Sequence, residues 1–215
     1  MTTLEISDGN PVLFGKDDAT PDPLFYTSPR KVVHIDDGAI AAVTQLYREL
    51  LPTGGAILDL MSSWRSHLPA HAAYARVAGL GMNAEEMRDN PQLTERLVHD
   101  LNEDTRLPYA NREFDAACCC VSVQYLQKPV EVFREMRRVL KPGAPFVLSF
   151  SNRCFPTKAV RLWLQSDDAG HMRLVKSYLE QAGGWRGIAT QDRSSRRARA
   201  SWGDPLFAVW AFVAE

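Results

Sequence analysis

A chain of 215 residues, 45% hydrophobic and 24% charged, can build one α/β domain with a substantial core but not two of ordinary size, and is neither a disordered nor a fibrous polymer. Its formal net charge of -1 gives no global field to attract polyanions, so no nucleic-acid partner is expected without a local basic patch. Residues 1–5 hold no basic segment leading into an apolar core, and no stretch reaches membrane-spanning length, so the expectation is a cytoplasmic protein without a membrane partner, monomeric or homodimeric.

Residues 1–35 are rich in Pro, Asp, Gly and Thr without a sustained period and read as an irregular arm. Its aromatic and basic end, residues 25–35, either folds over a site as a lid or covers a hydrophobic face. His34 reads as a structural hydrogen-bonder ahead of a catalytic base. Asp36 or Asp37 then caps a helix with Ile40, Val43, Tyr47, Leu50 and Leu51 along one face, which Pro52 and Gly54-Gly55 end.

Ala56–Leu60 is an apolar run interrupted by one carboxylate, Asp59, as in a central parallel strand whose end faces a ligand. Ser62 and Ser63 follow where the strand gives way, and ligands of open α/β sheets lie at such carboxyl ends. Residues 66–76 read as a short alanine-rich helix and 77–80 as the second strand, which makes a βαβ unit. Asn83 can cap the next helix with Glu86 as its reciprocal capping-box partner. Pro91 breaks that helix, 94–98 forms the third strand, and His99-Asp100-Leu101-Asn102 is its polar end.

Cys118, Cys119 and Cys120 are consecutive inside an apolar run. That spacing suits neither a disulfide framework nor a tetrahedral zinc site, so they read as small buried hydrophobes and no metal is expected. The fourth strand opens at Phe114-Asp115 and ends in the polar Ser122, Gln124 and Tyr125. Pro129 starts a helix carrying Val132, Phe133, Met136, Val139 and Leu140, and Lys141-Pro142-Gly143 leads to the fifth strand, Pro145–Phe150. Thr157 caps a helix through Leu164, and Asp167 or Asp168 caps another running to about Glu180. Residues 185–190 and 206–213 supply the last two strands. Between them 192–199 is basic, and reads as a solvated loop or as a clamp for an anionic substrate or phosphate backbone.

Three passages together resemble one family. Ile57-Leu58-Asp59-Leu60-Met61-Ser62-Ser63-Trp64-Arg65 is similar to motif I of the class I S-adenosylmethionine-dependent methyltransferases, with Met61, Ser63 and Arg65 at the three glycine positions. The run from Leu107-Pro108-Tyr109 through Phe114-Asp115 to Tyr125-Leu126, and Glu135-x-x-Arg138-Val139-Leu140-Lys141-Pro142-Gly143, resemble the type-11 branch. The resemblance implies a Rossmann-like α/β fold. Its sheet has seven strands, mostly parallel with an antiparallel last strand, and carries helices on both faces. It further implies one domain over 1–215, with 1–35 as arm or lid, 36–150 as the cofactor-binding core and 151–215 as substrate-side helices and strands.

The cofactor so implied is S-adenosylmethionine, held by Asp59, Met61, Ser62, Ser63, Gly81, Met82, Asn83, Asp100, Leu101, Ser122 and Gln124. Gly81 stands where the family carries the acid that binds both ribose hydroxyls, and Asn83 or Glu85 is a possible substitute. Asp100 matches the acceptor for the adenine amino group. Ser122-Val123-Gln124-Tyr125 differs from the Asn/Asp-Pro-Pro-Tyr of amino-group nucleic-acid methyltransferases, and no Pro-Cys supplies a cytosine-attacking thiol, so a small-molecule acceptor is expected. His34, His67 and Tyr125 are the candidate bases. The alternative is a noncatalytic binding or regulatory protein of the same fold. A nicotinamide-dependent enzyme is a weaker third, because no Gly-x-Gly-x-x-Gly follows the first strand.

Overall fold

In a computed structural model, which describes residues 8–215, the chain folds around a seven-stranded sheet. The strands are β1 (Ala56–Leu60), β2 (Arg76–Gly81), β3 (Glu95–Val98), β4 (Ala116–Cys120), β5 (Pro145–Phe150), β6 (Trp185–Asp192) and β7 (Phe207–Val213). They lie in the order β3-β2-β1-β4-β5-β7-β6. The first five run parallel, and β7 inserts antiparallel between β5 and β6. This is the Rossmann-like, mostly parallel sheet that the resemblance implied, with both of the final pairings antiparallel.

Eight α-helices accompany the sheet among the described residues: α1 (Pro11–Phe14), α2 (Asp22–Phe25), α3 (Asp37–Leu50), α4 (Ala84–Arg88), α5 (Pro129–Val139), α6 (Arg161–Leu164), α7 (Asp168–Ala182) and α8 (Arg196–Arg199). α3 starts where Asp36 accepts from the Ala39 amide at 2.8 Å, and it buries Val43, Leu46 and Tyr47 on one sheet face with Ile57, Val77, Cys118 and Val147. α5 and α7 cover the other face, where Phe133, Met136 and Tyr178 meet Phe146, Phe150 and Cys119. Adjacent cysteines therefore enter opposite cores, as strand alternation requires. No helix among the described residues is long and apolar enough to cross a membrane.

Three passages depart from the sequence reading. Residues 66–75 form no helix, so β1 and β2 are joined by a loop. Pro69 disfavours helical backbone at Leu68, and the alanines beyond it form a piece too short to hold a helix alone. The hydroxyls of Ser62 and Ser66 are also committed to Asp59, at 2.6 Å each. Thr157 lies in a turn, and α6 begins only after Val160. Residues 1–7 of the arm lie outside the described residues, and the rest is partly helical: α1 is capped by Asn10, and α2 is moored by the buried Lys158, which lies 3.4 Å from both Asp18 and Asp22.

The type-11 passages have physical roles here. Asp115 accepts from the Ala56 amide at 2.9 Å and from Lys141 at 2.6 Å, which ties the start of β1 to the end of α5. Arg138 donates to the carbonyls of Leu107 and Tyr109 at 2.7 and 2.8 Å while Glu135 accepts from the Leu107 amide at 3.0 Å. The pair clamps the run that precedes β4. Gly143, at φ 78°, supplies the left-handed turn into β5.

Candidate functional site

Asp59 of β1 lies level with Gly79 of β2 and Cys118 of β4, so the carboxyl ends of the parallel strands open along one edge. A cavity of about 1170 Å³, counted to its open mouth, lies there, large enough for a small organic ligand. Asp59, Met61, Ser62, Ser63, Gly81 and Met82 all reach it, as do Asn83, Asp100, Leu101 and Ser122. Gln124 does not. It is buried behind the wall and its amide nitrogen donates to the Val121 carbonyl at 2.9 Å.

The turn after β1 makes its shape without glycine. Met61 and His67 take left-handed backbone, at φ 58° and 55°, and such a conformation costs a non-glycine residue about 1–2 kcal/mol. Asp59 organises the turn between them: it accepts from Ser62 and Ser66, and the Cys118 thiol lies 3.6 Å away. Asn90 donates to Ser66 at 2.8 Å and to the Ser63 carbonyl at 2.9 Å, and Gln92 brackets both backbone groups of Leu68. Burial pushes the Asp59 carboxyl up to about 6, against the downward pull of Ser62, Ser66 and Cys118. The acid therefore serves the turn first and faces the cavity second.

The turn after β2 is closed just as tightly. The Ser62 amide donates to Leu80 at 2.7 Å and the His99 amide to Gly81 at 3.0 Å, and a Cβ built on Gly81 would lie 2.1 Å from the Ser62 carbonyl oxygen. Asn83 caps α4 by accepting from the Glu86 amide at 2.9 Å, and its own amide donates to the Tyr26 carbonyl at 2.8 Å. Glu86 does not return the capping-box bond. Its carboxylate accepts from the Ser63 hydroxyl at 2.6 Å and from the Arg30 amide. Glu85 turns outward to Lys31, 2.9 Å away. Asp100 accepts from the Asn102 amide at 2.9 Å and has no ion-pair partner among the described residues.

At the end of β4, Val121 lines the cavity at φ 50°. A β-branched residue in this region stores about 1–3 kcal/mol of strain, of the kind that gathers at functional sites. The Val121 amide donates to Ser149 at 2.8 Å and its carbonyl accepts from Gln124, which holds the conformation in place. The polar signal read at Gln124 thus marks support for the wall.

The arm supplies the remaining wall. Tyr26, Arg30 and residues 32–35 line the cavity with Phe155 and Tyr125. Arg30 lies 4.2 Å above the Phe25 ring and 5.5 Å from Phe155, His34 meets Phe155 edge-on at 5.1 Å, and the Tyr125 hydroxyl accepts from the Phe155 amide at 2.9 Å. Trp64 of the turn reaches over to donate to the Val32 carbonyl at 2.9 Å. Sequence reading missed Glu86, Arg30 and Trp64 as site residues. The run Phe25-Tyr26 followed by Arg30 was the available signal, and nothing in the sequence showed which helical residue would face inward.

All three candidate bases line the cavity. Burial lowers the His34 pKa, and burial followed by the Arg65 charge lowers that of His67, so both favour neutral imidazole. Burial pushes Tyr125 up to about 12, which makes it a poor base near neutral pH. The basic stretch 192–199 lies elsewhere: Arg193 pairs with Glu49, Arg199 lies 3.7 Å from Asp192, and neither lines the cavity. No group of three His, Cys, Asp or Glu among the described residues is placed to hold a metal ion.

Residues 63–148 match the type-11 family of the methyltransferase domain. The match begins inside the glycine-less turn and runs through α5 to β5. Among curated proteins, the chain is 30% identical over 111 residues to a biotin biosynthesis bifunctional protein of Teredinibacter turnerae, across 49% of this chain and 20% of that one. It is 33% identical over 122 residues to the methyltransferase phqN of Penicillium fellutanum, across 54% and 35% of the two chains. The chain thus spans well under half the length of these relatives.

Among solved structures, a chain from the complex of the Haloferax volcanii Trm112 methyltransferase activator with a methyltransferase candidate aligns at a TM-score of 0.64. It is 15% identical, over 83% of this chain and 92% of that one. An S-adenosylmethionine-dependent methyltransferase from Mesorhizobium loti aligns at 0.56 with 16% identity over 80% and 97%. The [4+2]-cyclase SpnF aligns at 0.59 with 19% identity over 90% and 93%. At these identities the structural likeness speaks to fold alone, and the cyclase shows that the fold hosts more than one chemistry. With the sheet order and the matched passage taken together, the chain has the class I methyltransferase fold and is similar over residues 63–148 to the type-11 methyltransferase domain, a likeness that implies S-adenosylmethionine as the cofactor.

Proposed function

We propose that the protein transfers the methyl group of S-adenosylmethionine to a small-molecule acceptor in the cytoplasm. The observation that carries this reading is the convergence of Gly81, Met82, Asp100, Leu101 and Ser122 on one cavity whose outer wall is the chain's own arm. The residues suit the cofactor: Asp100 has an acceptor free of any cation for an amino group, and Met82 and Leu101 offer apolar faces to a ring. When bound, the cofactor supplies an activated methyl on a sulfonium.

The protein's part is then to align and enclose. Asp100 and the backbone beside Leu101 hold the purine end, while Asp59 and its two serines fix the turn that runs beneath the ligand. Tyr26, Val33, His34 and Phe155 keep water from the acceptor. His34 or His67, as neutral imidazole, takes a proton where the acceptor must lose one. A small acceptor is supported by the aromatic lining, and none of the basic residues of the 192–199 stretch is among those that line the cavity, which argues against nucleic acid. We assign 36–150 to cofactor binding and 151–215, with the arm, to the acceptor side of a single domain.

The test is to incubate the protein with methyl-labelled S-adenosylmethionine and, separately, a small-metabolite extract, bulk RNA and bulk protein. Label is expected in the small-molecule fraction only, and an Asp100→Ala variant should abolish its transfer. Label in RNA or protein would overturn the acceptor class. One observation favours the second reading, a binding protein without turnover: the arm is strapped across the mouth through Asn83, Glu86 and Trp64. Cofactor binding with no transfer to any fraction would support it.

A further inference from the structure

We infer that Glu86, five residues beyond the family's ribose position, is the acceptor for the two ribose hydroxyls, an inference that rests on the S-adenosylmethionine reading above. The usual position is closed. A Cβ on Gly81 would lie 2.1 Å from the carbonyl oxygen of Ser62 and 3.1 Å from its carbon, far inside contact distance with backbone that is itself hydrogen-bonded to Leu80 at 2.7 Å. No acidic side chain fits there unless the turn after β1 is rebuilt.

The two substitutes read from the sequence are otherwise engaged. Asn83 spends its oxygen on the cap of α4 and its nitrogen on the carbonyls of Tyr26 and Thr27, at 2.8 and 3.3 Å. Glu85 pairs with Lys31 at 2.9 Å and does not line the cavity.

Four carboxylates do line it: Asp22, Asp59, Glu86 and Asp100. Asp22 is paired with Lys16 and Lys158 and also accepts from Asn102. Asp59 accepts from two serine hydroxyls and lies beside the Cys118 thiol. Asp100 matches the adenine contact. Glu86 is left, 7% exposed, with one oxygen accepting from Ser63 and the other from the Arg30 amide. Each of its oxygens keeps a further lone pair, and a carboxylate is the group that can accept from both hydroxyls of a vicinal diol.

The consequence is particular to this chain. The same carboxylate would hold the ribose, the serine at a former glycine position and the arm, so that cofactor binding and arm closure share one residue.

Calorimetric titration with S-adenosylhomocysteine and its 2′-deoxy counterpart tests this. Wild type is expected to favour the ribose form by about tenfold, the worth of one charge-assisted hydrogen bond. In Glu86→Gln, which leaves the Asn83 cap in place, that preference should fall to about twofold or less. Asp100→Ala should weaken both ligands and preserve the ratio. A general loosening of the site would lower both affinities together, so an unchanged ratio in Glu86→Gln would overturn the inference while leaving the cofactor reading intact. Failure of wild type to bind either ligand would overturn both.

Discussion

Two connections that feed the sheet are held together by different forces. The crossing from β4 to β5 runs through α5, which buries Val130, Val132, Phe133, Met136 and Val139 and clamps residues 107–111 through Glu135 and Arg138. The crossing from β1 to β2 has no helix: Asp59 holds two serine side chains, while Asn90 and Gln92 meet the backbone of Ser63 and Leu68. The first draws its stability from apolar area, which many residues share. The second draws it from individual hydrogen bonds worth about 1 kcal/mol each, of which every one matters. The second also lines the cavity, so in this molecule the site is built on the part most exposed to single polar changes.

The sharpest way to break this contrast is Gly81→Asp, which restores the family's residue. Steric conflict with Ser62 and a buried charge should cost about 4 kcal/mol in denaturant unfolding. Near-wild-type stability would mean that the turn after β1 relaxes easily. Next comes pH. The Asp59 carboxyl is raised from the usual 3.8 to about 6, so between those values the folded state binds the extra proton and stability contributed here is lost as pH rises. That loss should reach about 3 kcal/mol above pH 6.5, read as the difference between wild type and Asp59→Asn across pH 4 to 8. A pH-independent difference would show that Asp59 is better solvated than its burial implies.

In the other connection, Arg138→Ala should cost about 2 kcal/mol by freeing the carbonyls of Leu107 and Tyr109, with little effect on cofactor affinity. The smallest effect belongs to the arm's outer strap. Lys31 reaches Glu85 and Asp89 on an exposed surface, so Lys31→Ala should leave the unfolding midpoint essentially unchanged. A lowered midpoint would mean that the arm is held cooperatively.

The α5 crossing was legible because its residues act through repeating patterns. Helical spacing marked Val132 to Leu140, and Lys141-Pro142-Gly143 announced the turn that Gly143 makes at φ 78°. The helix expected over 66–76 was misread because alanine content outweighed Pro69 and the pull of Asp59 on its two serines, a tertiary effect that no local pattern carries. Asp100 was legible from its place after the third strand. Glu86 was not, since its capping-box spacing gave it a complete local explanation, whereas the fold turned its carboxylate to Ser63 and Arg30. Gln124 shows the converse: a polar residue at a strand end, yet it faces inward to brace Val121.

If the turn without glycine still forms a cofactor cavity, the purified protein binds S-adenosylmethionine. Titrating the purified protein with S-adenosylmethionine and S-adenosylhomocysteine by calorimetry tests it most directly, with Asp100→Ala as control. Micromolar binding is expected, and the control should lose it by at least about tenfold while its unfolding midpoint stays put. Absence of binding at millimolar ligand, or equal binding by the Asp100→Ala variant, would contradict it.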